Sequence, residues 1–415
     1  TKVTDDSNNP TMTPLTCAEC GHHELDFLAD HILEAHGLTV EAYQTKHPGH
    51  EVMSWRLIDR FDLEHTNIRR KHPPAPDTLT VDLAGIKFPV NWDVPAEACL
   101  PMPDHYRLPR FGILGEDIQH ALIALYFHRS QYIWGLPGSG KDALFHAWSA
   151  MTRWPAIIKS VKPGTDIESW FFSRAFNEKG TYWEEGEVLK ALRDGYRTSS
   201  GRVLPYLILV SDLDRADRSQ AEHMRLITDS IQGRIDGPAG TTFTVLPGTI
   251  IAATGNTAGA GDERGRMVSS NPLDASVMER FHARFQFHWM DWRDESEIIR
   301  SKFPILFQRC PSALDKLGNA TRLLREAILG NELYGEFSHR GLCSLCEHAQ
   351  DMVVIGGNKK PPKNLLQMAA RAWLEGLPDQ ENRDIAKKIM DPHIGMLNEG
   401  DTSHIDSGPL AGGFK

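Results

Sequence analysis

The chain has 415 residues, 40% of them hydrophobic, a length that gives room for two or three domains around a large buried core. Its 45 basic residues against 55 acidic ones, net −10, make nucleic acid an unlikely partner for the surface as a whole. No apolar run is long enough to span a bilayer, the first residues are polar (TKVTDDSNNP), and six cysteines are too few for a disulfide scaffold; together these predict a cytoplasmic protein without a membrane partner.

Residues 1–12 read as a disordered tail. Over residues 13–50 the spacing Cys17-x-x-Cys20, ten residues, His31, four residues, His36 supplies two thiolates from a turn and two imidazoles from a helix. That set makes a closed tetrahedral zinc site, expected to contribute on the order of 10 kcal/mol to the folding of so small a module. Leu25, Leu28, Ile32 and Ala35 would give the helix one apolar face. From Cys17 to Gln44 there is no Lys or Arg, while Glu19, Glu24, Asp26, Asp30, Glu34 and Glu41 are acidic. Phosphates would repel such a helix, so DNA binding is disfavoured and a protein-docking or oligomer-organising module is expected.

Residues 51–110 read as a linker followed by an extended segment. The basic stretch from His65 to His72 is expected to be solvated, and the proline-rich run over 78–110 should pack along the next domain without forming a helix. Residues 111–290 then alternate helical spacing with short apolar strands at Tyr132–Trp134, Ala156–Lys159, Tyr206–Val210, Thr249–Ala253 and Phe285–His288. This predicts an α/β domain with a parallel sheet covered on both faces. Helical stretches over 291–395 suggest a lid, and 396–415 a Gly-rich tail.

Within the α/β region Gly135-Leu136-Pro137-Gly138-Ser139-Gly140-Lys141 has the spacing of a phosphate-binding loop between a strand and a helix. Its glycines would turn backbone N–H groups inward, with Lys141 reaching the outer phosphates and Ala143 opening the helix behind it. Position 142, where Ser or Thr ordinarily ligates magnesium, holds Asp142. A second departure lies in Leu207-Ile208-Leu209-Val210-Ser211-Asp212-Leu213-Asp214-Arg215. There an Asp-Glu pair is expected after the strand, the first for the magnesium shell and the second for the attacking water. Ser211 takes the first place and Asp212 the second.

Three readings follow. Asp142 and Ser211 exchange roles, with Asp142 and Asp212 beside magnesium and Ser211 hydrogen-bonded to Asp142. Alternatively the site is decayed, since an extra acid repels nucleotide. In a third reading the register shifts, with Asp212 on the metal and Asp214 on the water. Asn256, just past an apolar strand, suits either a water-holding amide or a turn cap. Cys343 and Cys346 lie one turn apart on a helix, more in keeping with core packing than with metal binding alongside His339 or His348.

The motif order resembles AAA+ ATPases of the MoxR branch, and within it the ATPase subunit of aerobic cobaltochelatase. The stretches that carry the likeness are GLPGSGKD, KPGTDIESWFFSRAF with GEVLKALRDG, LILVSDLDRAD, QGRIDGPAGTTFTVLPGTIIAATGNTAGAGDERG and VMERF, together with the segment around GIKFPVNWDVPAEACLPMPDHYRLP. The N-terminal Cys-x-x-Cys, His, His and the run from Leu38 to Gly49 extend it. The resemblance implies a P-loop AAA+ sheet with a helical lid and a zinc-finger module, cofactors ATP, Mg2+ and Zn2+, and a homo-oligomeric, hexameric ring with ATP at each subunit interface. It implies Asn256 as sensor 1, Arg280 as the finger offered to the neighbour's phosphate and Arg340 as sensor 2. It also implies a helix insertion over 164–186, a second hairpin over 236–247, and a partner protein carrying a metal-ion-dependent adhesion (von Willebrand A-like) domain. The expected function is ATP-driven remodelling of that partner, as in a metal chelatase. The alternative is a nucleotide-binding ring that hydrolyses slowly or not at all.

Overall fold

The computed structural model describes residues 15–21, 23–24, 29–38, 40–47, 79–178, 180–261, 270–357 and 359–395. The N- and C-terminal tails, the basic stretch from His65 to His72, Leu25, Leu28 and the DERG end of the fourth resemblance stretch lie outside those residues.

Five parallel strands form the central sheet: β1 (Gln131–Gly135), β2 (Ala156–Ser160), β3 (Leu207–Ser211), β4 (Ile250–Gly255) and β5 (Ala283–Phe287), in the order β5-β1-β4-β3-β2. β3 and β4 are buried along their whole length, which is why their sequences run apolar without alternation. Register pairs Leu207 with Ile250 and with Ala156, and Gln131 with Ala252 and with Ala283.

Period-2 geometry sorts the side chains between the two faces. Ile133, Leu207, Leu209, Ile250 and Ala252 pack under α1 (Gly112–Tyr126) and α2 (Lys141–Thr152). Tyr132, Ile208, Val210, Ile251 and Ala253 face the core shared with α3 (Glu187–Asp194) and α4 (Ala221–Ile231). The segment before the sheet does pack along it, as a hairpin of Thr80–Leu83 and Ile86–Pro89 whose Leu83 and Phe88 enter the α1–α2 core.

The insertion between β2 and α3 differs from the expected helix. It is a 3-10 turn at Glu168–Trp170 followed by a hairpin of Phe172–Asn177 and Gly180–Glu185. Phe171 and Phe172 belong to the core, whereas Phe176, Tyr182 and Trp183 are exposed. A second, shorter hairpin pairs Arg234–Asp236 with Thr242–Thr244, and its Phe243 ring meets Phe172 at 5.7 Å.

Past β5 the described chain is helical: α5 (Trp292–Lys302), α6 (Pro304–Arg309), α7 (Ala313–Leu329), α8 (His339–Ile355), α9 (Leu365–Glu375) and α10 (Gln380–Ile394), around one apolar cluster. Cys343 and Cys346 are part of it, in keeping with core cysteines. Inside this lid a charged group is buried. Arg325 makes two bonds to Glu295, 2.6 and 2.9 Å, and His339 Nδ1 lies 2.9 Å from the same carboxylate.

In the N-terminal module the helices Ala29–His36 and Val40–Lys46 close over Cys17, with Ile32 and Tyr43 fully buried. Tyr43 supplies the apolar contact expected of Ala35, which is exposed.

Candidate nucleotide-binding site

The loop between β1 and α2 adopts the conformation its glycines allow. Gly138 and Gly140 have φ of 70° and 85°, in the left-handed region. A Cβ on Gly138 would stand 2.5 Å from that of Ser338, just ahead of α8, so the lid lies directly on the loop. Trp289, between β5 and α5, adds a bond from its Nε1 to Pro137 O at 3.2 Å.

Lys141, the first residue of α2, is buried and folds back into the loop, donating to Gly135 O (2.7 Å), Leu136 O (3.2 Å) and Asn256 Oδ1 (3.2 Å). Burial lowers its pKa, and the neighbouring Asp142, Asp212, Asp214 and Glu336 act in the other direction. The structure therefore brings Lys141 and Asn256 together at the ends of β1 and β4.

Asp142 has a different partner from the one expected. Its Oδ1 accepts a 2.7 Å bond from Thr254 Oγ1 on β4, and no bond joins it to Ser211. Thr254 Oγ1 also accepts the Asp212 N–H at 3.3 Å, so one hydroxyl links both acidic positions. Ser211 Oγ and Ser139 Oγ are buried without a hydrogen-bond partner among the described residues. Asp212, at φ 56°, has its carboxyl pKa raised first by burial and then by the Asp142 charge.

Asp214 braces the loop after β4 through one of its carboxylate oxygens. Fully buried, its Oδ2 accepts from the N–H groups of Asn256 (2.8 Å) and Thr257 (3.0 Å) and from Thr257 Oγ1 (3.1 Å). It fixes the backbone that carries Asn256, while its Oδ1 is buried without a hydrogen-bond partner among the described residues. Thr254 and this bracing by Asp214 escaped sequence reasoning. Both residues lie inside recognised motifs, but their partners come from other strands and helices.

The two expected arginines lie on other elements. Arg280 Nη1 is held by Asp229 Oδ1 (2.5 Å) and Thr228 Oγ1 (2.9 Å) of α4. Arg340 is exposed on the first turn of α8, where its charge and that of Lys141 both bear on Glu336, whose pKa burial raises. A cleft of about 1120 Å³ adjoins the loop at Gly135, Leu136 and Asn256, walled by Trp134, Trp289 and Trp292.

In the N-terminal module the four expected ligand atoms of Cys17, Cys20, His31 and His36 lie within 4.8 Å of one another. Cys17 Sγ is 3.5 Å from His36 Nε2 and Cys20 Sγ 3.2 Å from His31 Nε2. Burial pushes the Cys17 thiol up, but backbone N–H groups of Cys20 and Glu19 and the Tyr43 hydroxyl outweigh it and lower the pKa, which favours the thiolate a metal needs.

No family model and no curated protein matches the chain. Among solved structures, the Thermotoga maritima RuvB Holliday junction branch migration motor aligns at 14% identity over 65% of this chain and 71% of its own, with a TM-score of 0.38. NtrX from Brucella abortus in complex with ADP aligns at 12% identity over 70% and 64%, TM-score 0.41. A putative ATPase from Cytophaga hutchinsonii aligns at 14% over 68% and 89%, TM-score 0.29. Likeness at this level says nothing of substrate or partner.

Proposed function

We propose that the chain is an AAA+ ATPase of the MoxR branch, akin to the cobaltochelatase ATPase subunit, that binds Mg-ATP at the loop between β1 and α2. The observation that carries this reading is the convergence of Lys141, Asn256, Asp142 and Asp212 around a glycine loop whose Ser139 hydroxyl is buried and unpartnered. A buried orphan hydroxyl beside two acids and a buried lysine fits a site built for a ligand. The loop, Gly135 to Ala143, would hold the phosphates. Asp142 and Asp212 would hold the magnesium, a divalent charge that relieves the repulsion between them and, when bound, neutralises charge on the transferring phosphoryl group.

Asp212 is then the group that accepts a proton from the attacking water, and Asn256 orients that water. Arg280 and Arg340 bring positive charge to the terminal phosphate, Arg280 from the neighbouring copy in a ring and Arg340 from the lid. The tryptophan-walled cleft leaves room for the base. Work done in such a ring would act on a partner protein with a von Willebrand A-like domain. A second reading, a ring that binds nucleotide and hydrolyses it slowly, is favoured by one observation: the loop position that ordinarily offers a hydroxyl to magnesium is a carboxylate already bonded to Thr254.

Turnover of ATP with and without magnesium separates the two. The first reading expects magnesium-dependent turnover that falls about 10²-fold or more in Asp212→Asn, as for loss of a general base, with nucleotide still bound. Lys141→Ala should lose binding as well. Turnover unchanged in both variants would exclude this site.

The N-terminal module we read as a structural zinc site, since its donor set and spacing suit a closed tetrahedron. Metal analysis should find one zinc fewer per chain in Cys20→Ser than in the natural chain. Equal zinc in the two would exclude it.

A further inference from the structure

Away from the phosphate loop, three metal-ligating side chains meet where the insertion touches α4. Asp166, Glu168 and His223 each offer one ligand atom, and these atoms lie within 4.8 Å of one another. Ile167, between the two acids, is fully buried, so the turn is anchored while both carboxylates stay near solvent. Two backbone donors tie that turn to the stretch ahead of α4: Gly164 N–H to Asp217 Oδ2 at 2.6 Å and Ile167 N–H to Gln220 Oε1 at 3.3 Å. The ligands therefore come from two separate parts of the chain that are already docked.

The histidine is oriented for a metal. Its Nδ1 is 3.1 Å from Gln220 Oε1, an oxygen that can only accept, which places a ring proton on Nδ1, so that in the neutral ring the Nε2 lone pair faces the acids. A second-sphere oxygen on one imidazole nitrogen is how proteins fix the other for coordination. An ordinary ion pair is the rival explanation. His223 Nε2 to Glu168 Oε2 is 3.6 Å, within reach of an ion pair if the ring is protonated but too long for a hydrogen bond. It matches the separation of about 3 to 4 Å between two ligands that share one ion at about 2.0–2.2 Å.

We propose that Asp166, Glu168 and His223 bind a divalent transition-metal ion of the zinc class, with water in the open positions. Two carboxylate oxygens and one imidazole nitrogen suit such an ion better than the all-oxygen sets of calcium and magnesium or the thiolate sets of the softest metals. The ion pins the insertion and its exposed hairpin to the start of α4, the helix whose far end holds Arg280 through Thr228 and Asp229.

The test is a calorimetric zinc titration of the full chain, its N-terminal zinc retained and nucleotide absent. The natural chain should take up one further zinc. Affinity for that ion should weaken at least about tenfold in His223→Ala and in Gln220→Ala, the second of which leaves all three ligands in place. Asp142→Ser should titrate like the natural chain, and added zinc should slow proteolysis of the hairpin over 172–185 only where the site is intact. Identical uptake by the natural chain and both variants, or loss of the further zinc in Asp142→Ser alone, overturns the assignment.

Discussion

Thr254 is the side chain on which the two acidic positions depend. Its hydroxyl donates to Asp142 and accepts from the Asp212 backbone, so the carboxylate that replaces the usual loop hydroxyl is held in place by β4. The exchange of roles between Asp142 and Ser211 was expected with a bond between them; Asp142 is bonded to Thr254 instead, and Ser211 Oγ is buried without a partner among the described residues, so the exchange rests on the variants below. An aspartate at position 211 would add a third acid beside Asp142 and Asp212, whereas Asp142→Ser removes one. The single variants should each turn over ATP more slowly than Asp142→Ser/Ser211→Asp, which restores the usual pair. Rates in which the two effects merely add would contradict the exchange. Spacing alone pointed to Lys141 and the two anomalies, because the motifs fix their distance along the chain, whereas Asn256 stayed open between two roles until the resemblance assigned it one. Spacing could not identify Thr254, whose partner depends on how β4 aligns with α2, or the bracing by Asp214, which depends on the loop after β4.

Among the elements, β1, β3 and β4 were legible because each is a short apolar run between helical stretches, the mark of a strand buried on both faces, whereas the edge strands β2 and β5 are partly exposed and carry polar residues. The insertion was not legible, since Trp170, Phe171 and Phe172 give no period that separates a helix from a turn and hairpin. The lid's charged group was invisible for a related reason: Glu295, Arg325 and His339 lie on three helices and only tertiary packing joins them. Burial opposes the His339 charge, but Cys343 and Glu295 outweigh it and push the pKa up to about 9. A histidine with a raised pKa contributes stability that is complete below its ordinary value of 6.5 and lost as pH rises through about 9. Thermal denaturation of the lid should therefore shift downward across that window, and Glu295→Gln should flatten the slope. Glu295→Ala should also cost about 3–5 kcal/mol, because Arg325 would be left buried without its partner. A slope unchanged in Glu295→Gln would mean that the imidazole is not held charged by this carboxylate.

For the molecule as a whole, the proposed site residues fall into two groups. Lys141, Asn256, Asp142 and Asp212 meet at one end of the sheet, whereas Arg280 is tied to Asp229 and Thr228 on α4, outside the cleft beside the loop. On the proposed reading, an arginine so placed would serve a phosphate on another copy, and turnover would then be a property of neighbours in a ring. Removing such a finger is expected to lower turnover about 10³-fold or more. The most direct measurement is ATP turnover by a mixture of two inactive chains, Lys141→Ala, which retains the arginine, and Arg280→Ala, which retains the loop. Activity that returns on mixing, at interfaces where an intact loop meets an intact arginine, is the predicted result. A mixture as inactive as its components would contradict a shared site.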